Sequence, residues 1–73
     1  NVAVGYHAGY GLTEGFDNTF VGTNAGKAVT TADYNVAIGR QALYSTTTAC
    51  RNTAVGTCAL ENNTTGCQNN SLG

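Results

Sequence analysis

A chain of 73 residues has room for one small hydrophobic core, and with 10% charged residues and a formal net charge of −1 it has no field to steer nucleic acid or an anionic membrane. No apolar run approaches the roughly 18 residues of a spanning helix. No charged segment leads into an apolar one, so any targeting signal is read as absent or removed. Trp, Met and Pro are missing, while Thr, Asn and Gly are abundant. Such a composition suits a rigid extracellular rod, or a surface covered by partners.

The first element, Asn1-Val2-Ala3-Val4-Gly5, returns as Asn18-Thr19-Phe20-Val21-Gly22, Asn35-Val36-Ala37-Ile38-Gly39, Asn52-Thr53-Ala54-Val55-Gly56 and Asn69-Asn70-Ser71-Leu72-Gly73. The step is 17 residues each time, giving coils 1–17, 18–34, 35–51 and 52–68 and a partial coil 69–73. A fixed period of this kind marks a solenoid or array. One Gly or more in every repeat argues against helices, at roughly 1 kcal/mol each. Alternation in N-x-A-V-G argues for strands. The expected fold is all-β: one parallel β-solenoid segment, 1–73, with 17-residue coils. Each coil is predicted to hold a strand at positions 2–5, a Gly corner, a second strand near positions 7–10, and a Thr/Gly/Asn-rich return.

Stacked repeats turn positions into columns. Asn1, Asn18, Asn35, Asn52 and Asn69 form a candidate amide ladder, each side chain bonding to those above and below. The aliphatic column Val4, Val21, Ile38, Val55 and Leu72 is the predicted interior, with the second column half-buried beside it. The third column is small apart from Phe20, which allows another backbone to come close. Gly5, Gly22, Gly39, Gly56 and Gly73 fit a corner that needs positive φ or close backbone approach. This core is thin, and small cores rarely supply more than about 3–5 kcal/mol. No cap hides either end. The segment therefore reads as an excerpt of a longer array that associates with like chains.

At N-x-A-[VI]-G-x-x-A the chain resembles a family. Residues 35–43 and 52–60 are similar to repeats of phage and giant-virus tail-fibre proteins, which follow an Asn-Thr-Ala-Val-Gly-Tyr-Gln-Ala-Leu-Tyr-Ser-Asn-Thr-Thr-Gly pattern. The same core resembles the head repeat of YadA-type trimeric autotransporter adhesins. The resemblance implies a fibre or adhesin shaft, homotrimeric or filamentous, located outside the cell, on its surface or on a virion. Two departures stand out: the adhesin repeat is shorter than 17 residues, and Phe20 stands where Ala is usual and is expected to crowd that face.

The chemistry-bearing residues are few. Cys50 and Cys67 share a column in adjacent coils, about 4.8 Å apart along the axis, inside the disulfide window; two stacked free thiols are the alternative. Cys58 is left over, free or bridging to another chain. The single His7 lies about 14 Å along the axis from Cys58, so neither a zinc site nor any other metal site is expected. Ser45 sits two coils from His7 and its neighbours Glu14 and Asp17, so no catalytic triad is expected. The chain reads as no enzyme, with no cofactor. Thr13, Thr30, Thr47 and Thr64, flanked by Thr31, Thr48 and Thr65, raise an ice-binding alternative, although adjacent columns point to opposite faces. Sequons at Asn62, Asn63 and Asn69 make Asn62 or Asn63 the candidate glycosylation sites. Tyr6, Tyr10, Tyr34 and Tyr44 offer either a carbohydrate-stacking surface or corner packing. The leading partner is the chain itself; a cell-surface glycan or receptor is second; nucleic acid and membrane insertion are not expected.

Overall fold

The computed structural model describes residues 1–73. Five three-residue strands, β1 (Val2–Val4), β2 (Thr19–Val21), β3 (Val36–Ile38), β4 (Thr53–Val55) and β5 (Asn70–Leu72), form one parallel sheet in chain order. Every residue pairs with its equivalent 17 positions on, as in Val2↔Thr19, Thr19↔Val36, Val36↔Thr53 and Thr53↔Asn70. The chain is an all-β, parallel β-solenoid of four laps and the strand of a fifth.

Each lap is closed by its own Asn. The Asn1, Asn18, Asn35 and Asn52 Nδ2 groups donate to the carbonyls of Gly15, Ala32, Ala49 and Gly66, 14 residues on, at 2.8–3.0 Å. The Oδ1 of each accepts the backbone N–H of the next Asn at 2.9–3.0 Å. One side chain thus ties the end of its lap to the start and also holds the lap that follows. Asn18, Asn35 and Asn52 are buried, where such amides are tolerated only when satisfied.

The interior differs from the sequence expectation. In the three inner strands Phe20, Ala37 and Ala54 of the third column are 0% exposed, whereas Ile38 is 40% exposed and Val21 and Val55 are half-buried. In the end strands Ala3 is exposed along with Val4, and Ser71 is half-buried beside exposed Leu72. A period of two fixes which side chains share a face but not which face is inside. The lap turns too tightly for two aliphatic columns to point inward. The centre is filled instead by the third column with Ala25, Ala42, Ala59, Val29, Leu43 and Ala32.

Phe20 crowds nothing. Its ring lies over Gly9 and Gly26: a Cβ on Gly26 would stand 2.6 Å from Cε1, and one on Gly9 3.0 Å from Cδ2. The next two laps make the reverse choice, with Ala37 and Ala54 in the third column and Leu43 and Leu60 in the ninth. Bulk has moved from the strand to the turn opposite it, keeping the filled volume near constant.

The predicted second strand is a chain of turns. The N–H groups of Ala8, Tyr10 and Leu12 donate to the carbonyls three residues back, at Gly5, His7 and Gly9. Those of Gly9 and Gly11 donate to the next lap, at Ala25 and Lys27. His7 (φ 58°) and Gly9 (φ 61°) take the third position of the first two turns with the positive φ that a type II turn requires. The seventh column repeats this at Asn24, Gln41 and Cys58, and the seventeenth does so at Asp17, Tyr34, Arg51 and Gln68. Left-handed backbone at non-glycine residues costs roughly 1 kcal/mol each, offset here by bonds to the neighbouring laps. The corner Gly is required: Gly39 has φ 130°, and a Cβ there would lie 2.5 Å from the Gly56 carbonyl oxygen.

Candidate functional site

The outer face of the sheet is built from two columns of uncharged side chains. Val2, Thr19, Val36, Thr53 and Asn70 make one column; Val4, Val21, Ile38, Val55 and Leu72 make the other. None carries a charge, and Val2, Val4, Ile38 and Leu72 are all exposed. At about 4.8 Å per strand the strip is roughly 19 Å tall. Its strands run in register, each residue against its equivalent one lap on. In sequence it is flanked by Tyr6, Thr23, Arg40 and Thr57 after the Gly corner, and by Asp17, Tyr34, Arg51 and Gln68 before the Asn column.

Aromatic side chains gather at two corners. His7 sits between Tyr6 and Tyr10, tilted against the first with ring centroids 3.9 Å apart and edge-on to the second at 4.5 Å. Phe16 meets Tyr34 edge-on at 5.4 Å, and the Arg51 guanidinium lies 5.8 Å from the Tyr34 centroid. Lys27 similarly covers Tyr44 at 5.6 Å. Tyr6 and Tyr10 remain about two-thirds exposed, and the surface has no concave pocket beside them.

The Thr column works along the axis. Thr13, Thr30 and Thr47 hydroxyls donate to the carbonyls of Thr30, Thr47 and Thr64 at 3.4–3.5 Å, which leaves Thr31, Thr48 and Thr65 as the exposed hydroxyls beside them. Of the sequon residues, Asn62 is exposed, Asn63 donates its Nδ2 to the Gly66 carbonyl at 3.0 Å, and the Asn69 backbone N–H is bound to Asn52. No family model, curated protein or solved structure matches the chain. The arrangement of its own residues carries the functional reading.

The cysteines separate into a pair and a singleton. Cys50 and Cys67 bring their sulfurs to 3.1 Å as free thiols, and the Cys50 backbone N–H donates to the Cys67 sulfur at 3.2 Å. Cys58 lies apart and exposed, with its S–H directed at Gln41 Oε1 at 3.5 Å. His7 is in the first lap and Ser45 in the third, two laps apart. Sequence reasoning missed the outward face, because an unvarying aliphatic column reads as core. It also missed the left-handed columns, whose side chains have no type in common.

Proposed function

We propose that this solenoid is a structural segment: a shaft or display surface that assembles with like chains through the outer face of its sheet. The observation that carries the reading is the uncharged Val/Ile/Leu strip on the side facing away from the core. A monomer rarely leaves so continuous an apolar strip in water, and strips of this kind mark contact surfaces. A second copy is the occupant that fits best, since a repeating, uncharged face is complementary to itself in spacing and charge. A trimeric or filamentous fibre outside the cell or on a virion is the form this takes by resemblance to tail-fibre and adhesin repeats. Catalysis has no part in the proposal, and no helix is long and apolar enough to cross a membrane.

Sedimentation velocity on the chain and on the double variant Val4→Glu/Ile38→Glu tests this. The unchanged chain should sediment as an oligomer and the variant as a monomer, with the same circular dichroism. An unchanged chain that stays monomeric at millimolar concentration contradicts the proposal.

A further inference from the structure

We infer that Cys67 and Cys50 form a reactive thiol pair that takes up a small-molecule disulfide and closes into a covalent bridge between consecutive laps. The inference is independent of any assembly through the sheet face.

The geometry comes from the repeat. Residues one lap apart sit above one another, and this register places two cysteines in the sixteenth column. That column has a job elsewhere in the solenoid. The Asp33 Oδ1 accepts the backbone N–H of Phe16, one lap before it, at 2.9 Å. The Cys67 sulfur accepts the N–H of Cys50 in the same relation at 3.2 Å. The position is therefore built to hold an acceptor, and in the first instance an anionic one. The Cys50 sulfur lies 3.1 Å from the same atom, where either thiol can donate to the other.

These contacts divide the labour. The Cys50 thiol and the Cys50 backbone N–H hold the Cys67 thiol below the ordinary range against the opposing effect of burial, with a lesser contribution from the Arg51 guanidinium. Cys50 moves up, chiefly because its S–H is engaged by Cys67, with further contributions from burial, the Cys67 charge and Asp33 against Arg51. Cys58 also moves up, chiefly through the neighbouring Glu61 carboxylate, with burial adding to it. Cys67 is thus the thiolate that attacks and Cys50 the thiol that resolves.

The reaction balances with a disulfide such as oxidised glutathione as oxidant. The Cys67 thiolate attacks one sulfur, the disulfide bond breaks, and one glutathione thiolate leaves and takes up a proton. Cys50 then loses its proton to solvent and attacks the Cys67 sulfur of the mixed disulfide, releasing the second glutathione. Two protein thiols are oxidised to one bridge, and one small disulfide is reduced to two thiols.

The test is oxidation of the full chain with glutathione disulfide, followed by acid quench, alkylation with iodoacetamide, cleavage after Arg51 and Glu61, and mass spectrometry. The expected product links Cys50 to Cys67 and carries alkylated Cys58. In Cys50→Ser the mixed disulfide should accumulate on Cys67; in Cys67→Ser both remaining thiols should react at least tenfold more slowly. Alkylation of Cys67 should reach half its limiting rate at lower pH than alkylation of Cys58, because a lowered thiol ionises earlier. In urea the preference should vanish and Cys58–Cys67 bridges appear. A native product containing Cys58 in the bridge, or Cys50 and Cys67 both alkylated after excess oxidant, overturns the inference. So does glutathione found on Cys58 in Cys50→Ser.

Discussion

The first two laps and the next two fill the same space by opposite means. In laps one and two a single ring, Phe20, occupies the centre, and the turn across from it is bare at Gly9 and Gly26. In laps three and four the strand carries only Ala37 and Ala54, and Leu43 and Leu60 reach in from the turn. The backbone at that turn is alike in both halves: φ is 61° and 59° at the glycines, 53° and 52° at the leucines. Glycine at the ninth column is therefore demanded by the ring and not by the turn. A second contrast runs through the twelfth column, which passes from Leu12 and buried Val29 to Thr46 and Asn63. There an apolar contact gives way to a hydrogen bond, Thr46 Oγ1 to the Asn63 carbonyl at 2.7 Å. Repetition in this solenoid fixes hydrogen bonding and register, and leaves volume free to be traded between columns.

The largest effect should come from emptying the upper half. Phe20→Ala removes the largest buried side chain of laps one and two and should cost about 3–5 kcal/mol, enough to abolish the thermal transition of so small a core. Gly26→Leu alone should be comparably damaging, because its Cβ would enter the ring. The double variant Phe20→Ala/Gly26→Leu copies the lower solution and should recover more than half of the loss. A double variant no better than the worse single one would mean the halves are not interchangeable. Next comes Asn35→Ala, which strips a lap closure and leaves the Asn52 N–H and the Ala49 carbonyl unpaired. At about 1–3 kcal/mol for each buried group, it should lower the denaturation midpoint well below that of Asn1→Ala, whose site is exposed. Gly39→Val belongs with these, and should disrupt folding far more than Arg40→Ala at the neighbouring exposed site.

Smaller effects sharpen the same comparison. Thr46→Val carries the Val29 solution into lap three, losing one hydrogen bond and gaining apolar contact, and should change stability by no more than about 1 kcal/mol. Gln68→Gly relieves a left-handed backbone at an exposed residue (φ 61°) and should raise stability by roughly 0.5 kcal/mol, measurable as a rise in urea midpoint at constant slope.

The lap itself was legible because Asn and Gly perform backbone tasks that no other residue performs as well, so their period survives drift elsewhere. The side of the sheet was not legible. Ala37 and Ile38 are neighbours in one strand, and transfer energy favours burying the larger; only the tightness of the lap reverses the choice. The turns were hidden for a different reason. His7, Asn24, Gln41 and Cys58 share a left-handed φ, but backbone bonds hold it: the Asn24, Gln41 and Cys58 N–H groups donate to the preceding lap, at Tyr6, Thr23 and Arg40, and these leave no mark on side-chain type. The juxtaposition of the free Cys50 and Cys67 thiols one lap apart followed from the period alone, whereas the acceptor role of the column needed the Asp33 contact to be seen.

The most direct measurement is thermal unfolding, by circular dichroism, of Ala37→Asp beside Ile38→Asp. The strand described here predicts that a carboxylate at Ala37, sealed inside the lap, abolishes the folded signal. It also predicts that one at Ile38, on the outer face, leaves the monomer's spectrum and cooperative melt intact. A folded Ala37→Asp with an unfolded Ile38→Asp would place the aliphatic column inside and contradict both the core and the interaction face.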